Sequence, residues 1–179
     1  MKRLKKIALL TTLMQKLREQ GSWCGETHVQ KAGYILQELL GVPTDLEYIL
    51  YKHGPFSFDL RDELTAMRAD ELVRIEPVSS YGVRLRPTEL SESLQTRFPK
   101  TMAEYEDKID FVAENVGDKG VKELERLATA LYISLKNGSA LKAENRAHKL
   151  NELKPHISIE AAQQAFDEAD SLMESAKSL

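Results

Sequence analysis

Apolar residues at Leu4, Ile7, Leu10, Met14 and Leu17 recur in steps of three and four and predict an amphipathic helix at the start of the chain. Val29, Ala32, Leu36 and Leu39 predict a second helix over 27–40, with Gly41 suited to a left-handed cap and Pro43 barring continuation. Tyr48, Ile49, Leu50 and Tyr51 read as a short strand, since aromatic and β-branched residues dominate it. Leu60, Leu64 and Met67 predict a third helix over 57–69. Alternation then replaces the helical period over 72–76 and 81–86, with Pro77, Val78, Ser79 and Ser80 between them. That pattern predicts a β-hairpin with Val73, Ile75, Val83 and Leu85 inward. A linker helix opens at Pro87 and Thr88 and stops at Phe98 and Pro99. Beyond it the stripes are helical again: Met102, Tyr105, Ile109, Val112, Val116; then Val121, Leu124, Ala128, Leu131, Leu135; then Ile159, Ala162, Phe166, Ala169, Met173. Asn137, Gly138 and Ser139, and later Lys154, Pro155 and His156, break these runs. The expected fold is α+β and mostly α: a winged-helix-like module over 1–98 with a small β-hairpin, then a helical bundle over 99–179 packed on it.

The best-marked junction runs from Tyr51 to Leu64. Gly54 and Pro55 suit a tight turn, and proline has no amide donor with which to continue a strand. Ser57 stands where its hydroxyl can cap the following helix, and Asp59, Asp62 and Glu63 place negative charge near the positive end of its dipole.

The net charge of −3 hides an asymmetry: residues 1–100 carry 15 Lys and Arg against 13 Asp and Glu, residues 101–179 carry 10 against 15. A mildly basic first half permits nucleic-acid contact without requiring it. The acidic second half favours a basic partner over an acidic one. Cys24 is the one cysteine, which excludes an internal disulfide and fits a reducing cytoplasm. The basic start followed by Ile7 to Met14 imitates a signal peptide, but the run continues into Gln15, Lys16, Leu17, Arg18 and Glu19 without a small-residue cleavage site. The expectation is a cytoplasmic protein, and no apolar run reaches membrane-spanning length.

No residue constellation points to catalysis. His28, His53, His148, His156 and Cys24 fall at no metal-ligand spacing, and the glycines are too scattered for a phosphate loop. Carboxylates are plentiful, but none is paired within an apolar run. The expectation is a protein without enzymatic activity, cofactor or metal. DNA binding has one feature for it and one against. Arg74, Arg84 and Arg86 alternate with the inward residues of the hairpin, where a wing would meet phosphates. The helix over 57–69, where a major-groove reader would lie, carries Asp59, Asp62 and Glu63, with Asp70 beyond them, against Arg61 and Arg68, and lacks the Asn, Gln or Lys that read base edges. The small residues in the last stripe, which extends to Ala176, would also let another helix approach closely; a closed bundle is the expected outcome and an open partner groove the alternative.

Three stretches together resemble the bacterial YwgA-like proteins: Gln30-Lys31-Ala32-Gly33-Tyr34-Ile35-Leu36-Gln37, then His53-Gly54-Pro55-Phe56-Ser57 before an acidic helix, and Leu153-Lys154-Pro155-His156-Ile157-Ser158 before the last helix. They are similar, more distantly, to the Panacea (SocA-like) antitoxin domain, which has a Tyr/His-Gly-Pro turn at this place and often an aromatic residue where this chain has His53. The resemblance implies a non-enzymatic regulatory module, antitoxin-like and associated with mobile elements, toxins or phage defence. It works by binding a partner protein such as a toxin or defence component. Tyr51, His53, Gly54, Pro55, Phe56 and Phe58 are then fold determinants and candidate protein-binding residues. The alternative is a winged-helix transcriptional regulator binding DNA through Arg74, Arg84 and Arg86. A homodimer is compatible with either reading.

Overall fold

The computed structural model describes residues 1–78, 82–137 and 143–179. Ser79, Ser80 and Tyr81 of the hairpin turn, and Gly138 and Ser139 of the expected break after Asn137, lie outside the described residues. The described elements run α1 (Arg3–Glu19), α2 (Glu26–Tyr34) continued by a π-helical turn (Ile35–Leu39), β1 (Ile49–Tyr51), β2 (Gly54–Phe56), α3 (Phe58–Ala69), β3 (Val73–Val78), β4 (Gly82–Pro87), α4 (Glu89–Gln95), α5 (Pro99–Val116), α6 (Val121–Asn137), α7 (Ala143–Leu153) and α8 (Ile159–Ala176). β1 pairs with β2 and β3 with β4, both antiparallel. The chain is thus mostly α, as the periodicities predict, with two small hairpins where one was expected.

α1 is the hub. Its expected single stripe is too narrow: Ala8, Leu9, Thr11 and Leu13 are buried along with Ile7, Leu10, Met14 and Leu17, whereas Leu4 is exposed. The reason is that α2, α4, α5 and β4 all pack against it from different sides. A helix covered from several sides must be apolar on all of them. Thr11 survives there because its hydroxyl donates to the carbonyls of Ile7 and Ala8 at 3.0 Å.

α2 carries a glycine in mid-helix at Gly33, where a Cβ would stand 2.8 Å from the Tyr48 hydroxyl. The missing side chain admits Tyr48, which packs edge-on against Tyr34 at 5.2 Å. At the far end the backbone widens into the π-turn, with the Leu40 amide donating to the Ile35 carbonyl. Gly41 ends it at φ +68°, and the Val42 amide then reaches the Leu36 carbonyl at 3.2 Å.

In the β3–β4 hairpin Val73 and Leu85 are buried, Ile75 is half-buried, and Val83 is exposed. The expected inward position of Val83 fails because it pairs with Pro77 near the turn, past the point where the Leu85 amide binds the Cys24 carbonyl at 2.8 Å. Pro99 does more than stop the preceding helix, since it is the first residue of α5. The stripe of α5 is buried at Ile109, Val112 and Val116 and half-buried at Met102 and Tyr105.

α6 is buried on more than one side, with Leu124, Leu127, Ala128, Ala130, Leu131 and Ile133 inside and Val121 and Leu135 exposed at its ends. Over 145–153 α7 carries Ala147 and Leu150 as its buried apolar residues and leaves Leu153 exposed, a pattern too sparse to announce a helix. α8 lies against α6 and α7 with Ala162, Phe166 and Ala169 buried and Ile159 exposed. Arg146 of α7 fastens it, pairing with both carboxylate oxygens of Asp170 at 2.8 and 2.6 Å and lying 4.9 Å over the Phe166 ring. The small-residue stripe at Ala169 is therefore closed by this chain's own helices.

Candidate functional site

The site is built on the β1–β2 hairpin. Tyr51 pairs with Gly54, Leu50 with Pro55 and Ile49 with Phe56. Pro55 was expected to end the strand, yet it sits inside β2. It is tolerated because facing antiparallel pairs alternate between bonded and unbonded, and Leu50–Pro55 is an unbonded pair that asks for no proline N–H. Gly54 has φ +86°, and a Cβ there would stand 3.0 Å from Thr129 Oγ1 and 3.4 Å from the Glu125 carbonyl of α6. The bare glycine lets the hairpin lie directly on α6.

Two consecutive residues of α2 grip the hairpin from below. The Gln30 amide donates to the Ser57 carbonyl and its oxygen accepts the Ser57 N–H, both at 2.9 Å and fully buried. Lys31, buried, donates to the Pro55 carbonyl at 3.1 Å. Ser57 is the expected N-cap, its Oγ accepting the Leu60 amide at 3.2 Å. Replacing Gln30 by Leu keeps the volume but strands the buried N–H of Ser57 and leaves its C=O with the Arg61 amide alone, a loss of about 1–3 kcal/mol. Chemical unfolding of Gln30→Leu against wild type measures it, and an unchanged midpoint would contradict the clamp.

Beside the clamp lies a charged cluster drawn from four parts of the chain. Glu125 of α6 has a side chain only 7% exposed. His53, on the hairpin turn, brings Nδ1 to 3.5 Å of Glu125 Oε2, and His156, between α7 and α8, brings Nε2 to 3.1 Å of Oε1. His156 donates through Nε2, the nitrogen that faces the carboxylate, while His53 only approaches it. Lys154 donates to the Tyr51 and Lys52 carbonyls at 2.5 Å. Burial pushes the Lys31 ammonium down to about 8, with Glu125 opposing that fall and Lys154 adding to it. Burial also lowers Lys154, again partly offset by Glu125.

The outer face of the same hairpin is aromatic. Tyr51, Phe56 and Phe58 form a triangle with centroids 5.6, 5.5 and 5.1 Å apart. Tyr51 is 51% and Phe58 39% exposed, Ile49 beside them is exposed, and the Arg61 guanidinium lies 4.9 Å over the Phe58 ring. The six residues singled out from the sequence thus divide three ways. Tyr51, Phe56 and Phe58 converge on the surface, Gly54 and Pro55 are buried against the body, and His53 turns to Glu125. Glu125, Lys31 and Lys154 escaped the sequence reading. The one available signal was Glu125 on the same helical face as Ala128, a charge where an apolar residue was due.

The arginines of the β3–β4 hairpin do not form a common outer face. Arg84 folds back 5.1 Å over the Trp23 ring and donates to the Trp23 and Ser22 carbonyls. Arg86 pairs with Glu76 at 3.0 Å, and Arg18 reaches the same carboxylate at 3.2 Å, so Arg86 and then Arg18 hold Glu76 below the usual carboxylate range. Arg74 is exposed. The cleft beside them, about 1040 Å³, is lined by Arg18, Arg74 and Arg86 but also by Glu19, Glu76, Glu89 and Glu92. On α3, Glu63 pairs with Arg3 and Lys6, and Asp70 with Arg3.

Cys24 is buried, its thiol pushed up to about 12 by burial, so it packs rather than reacts. Burial lowers His28 as well, and its Nε2 faces the Lys119 carbonyl at 3.2 Å. His148 is exposed. Among the described residues no group of three or more His, Cys, Asp or Glu is arranged to hold a metal ion, and no helix is long and apolar enough to cross a membrane. No protein-family model and no curated protein matches this chain.

Proposed function

We propose that this chain is a non-enzymatic, protein-binding regulatory module of the antitoxin-like, defence- or mobile-element-associated kind, and that it docks its partner through Tyr51, Phe56 and Phe58. The observation that carries this reading is the exposed aromatic triangle on a rigidly seated hairpin. Exposed aromatic rings are the side chains that most often dominate protein–protein binding energy. Here Gln30, Lys31 and Lys154 fix the backbone beneath the rings, so little ordering remains to be done on association. The YwgA-like resemblance points the same way, since its central motif forms this hairpin.

The test is the pair Tyr51→Ser with Phe58→Ser, two exposed changes that leave the clamp intact. The double variant is expected to keep wild-type thermal stability and to lose about 100-fold in affinity for a toxin or defence protein encoded beside it. Full protection by the variant against that neighbour would end the docking reading. DNA binding has less support, because Arg84 and Arg86 are engaged within the fold and Arg74 remains. A mobility shift at physiological salt that is lost with Arg74→Ala and kept with the aromatic double variant would reverse this preference.

A further inference from the structure

The hairpin offers an open edge as well as an aromatic face. Because Leu50 faces Pro55 in an unbonded pair, the Leu50 N–H and C=O point away from β2, to the outer side of β1. Among the described residues neither group has a hydrogen-bond partner, and β2 is the only strand that pairs with β1. At the turn, Lys154 binds the Tyr51 and Lys52 carbonyls. The other end is acidic. The Glu47 amide donates to Asp59 Oδ2 at 3.4 Å, which brings these two exposed acids together, and neither carboxylate has a cationic partner among the described residues. Lys52, exposed at the turn, supplies the opposite charge.

We infer that the outer edge of β1 takes up an extended segment of the partner protein as a third, antiparallel strand. The segment bonds to the Leu50 backbone, lays apolar side chains beside Ile49 and Tyr51, places a basic residue against Glu47 and Asp59 and an acidic one against Lys52. This rests on the docking reading above and names the form that the partner must take. Three features converge on it: unpaired main-chain groups supply affinity, alternating exposed side chains supply the apolar contact, and the charge gradient along the edge sets direction. A helix seated on the same rings would use the aromatic face and leave the Leu50 backbone groups bare.

The probe is an acetylated and amidated peptide, Glu-Thr-Val-Thr-Val-Thr-Lys, whose two valines face Tyr51 and Ile49 when its central residue bonds to Leu50, titrated into isotope-labelled protein. It is expected to shift the Leu50 amide resonance and to slow its hydrogen exchange about 10-fold or more. Methylating the central peptide nitrogen should weaken binding about 10-fold. The peptide with its end charges exchanged should bind more weakly to wild type and better to the Glu47→Lys, Asp59→Lys double variant. A Leu50 amide unmoved at about 1 mM peptide, or a methylated peptide that binds equally, overturns strand addition. If the aromatic double variant still loses the native partner in that case, docking at the rings stands and only the strand fails. If the aromatic variant keeps the partner, both fall.

Discussion

Glu125→Gln should cost about 1–3 kcal/mol of stability at neutral pH, from the spoiled His156 bond and the weaker support of two buried cations. Lys31 is buried outright and Lys154 nearly so, and Glu125 is the carboxylate that holds both of them up against the effect of burial. The Gln amide can also turn its N–H₂ toward the His156 N–H, which spoils that bond. The pH dependence has a fixed sign. Lys31 is held at about 8 in the folded chain against 10.5 as the ordinary value, so between these the unfolded chain binds more protons. Stability therefore rises as the pH climbs through that interval and is lowest, for this group, below about 8. Without Glu125 the folded value drops further, so the dependence begins at lower pH and becomes larger. Urea unfolding at several pH values measures both effects. Combining Glu125→Gln with Lys31→Met should recover part of the loss, because it removes one of the two buried cations that Glu125 supports. A single variant that loses under about 1 kcal/mol would show that the cluster is solvated and of little consequence.

Gly54→Val should destabilise the fold by about 3 kcal/mol or more, through two separable costs. The backbone at φ +86° is a region that a β-branched residue enters only with strain. The new Cβ would also press on Thr129 Oγ1 and the Glu125 carbonyl. Gly54→Ala with Thr129→Ala relieves the contact and keeps the strain, so its recovery relative to Gly54→Ala alone divides the two. Thermal unfolding of the three variants gives the result, and unchanged stability of Gly54→Val would mean that the turn does not lie on α6.

Gly54, Ser57 and Gly41 were legible in the sequence because their tasks are local: a positive φ, a first-turn cap, a left-handed stop. The stripes of α5 and α8 were legible because each has one buried face. α1 was misjudged as one-sided, since counting apolar spacing along 17 residues cannot say how many neighbours will cover them. Val83 and Arg84 illustrate a second limit. Alternation placed Val83 inward and Arg84 outward, but Val83 is exposed and Arg84 packs over Trp23, because where the body ends is a tertiary matter. The candidate site was half legible. The aromatic residues are close neighbours in sequence, so their convergence could be read. Lys31, Glu125 and the Lys154–His156 turn come from three distant stretches of the chain and meet because α6 lies under the hairpin. No local pattern encodes such a meeting.

The burial of α1 also bears on how the chain emerges from the ribosome. Its main cover is α5, which ends at Val116, almost a hundred residues after α1 is complete. At roughly 5–20 residues per second, synthesis of that interval takes about five to twenty seconds. Through that time Ile7, Leu9, Leu10, Leu13 and Met14 are covered at most by α2, β4 and α4, and the face that α5 takes stays open. A nascent chain of this kind is a natural client for the chaperones that bind exposed apolar helices at the tunnel exit, and its first hundred residues wait on their successors before the hub can close.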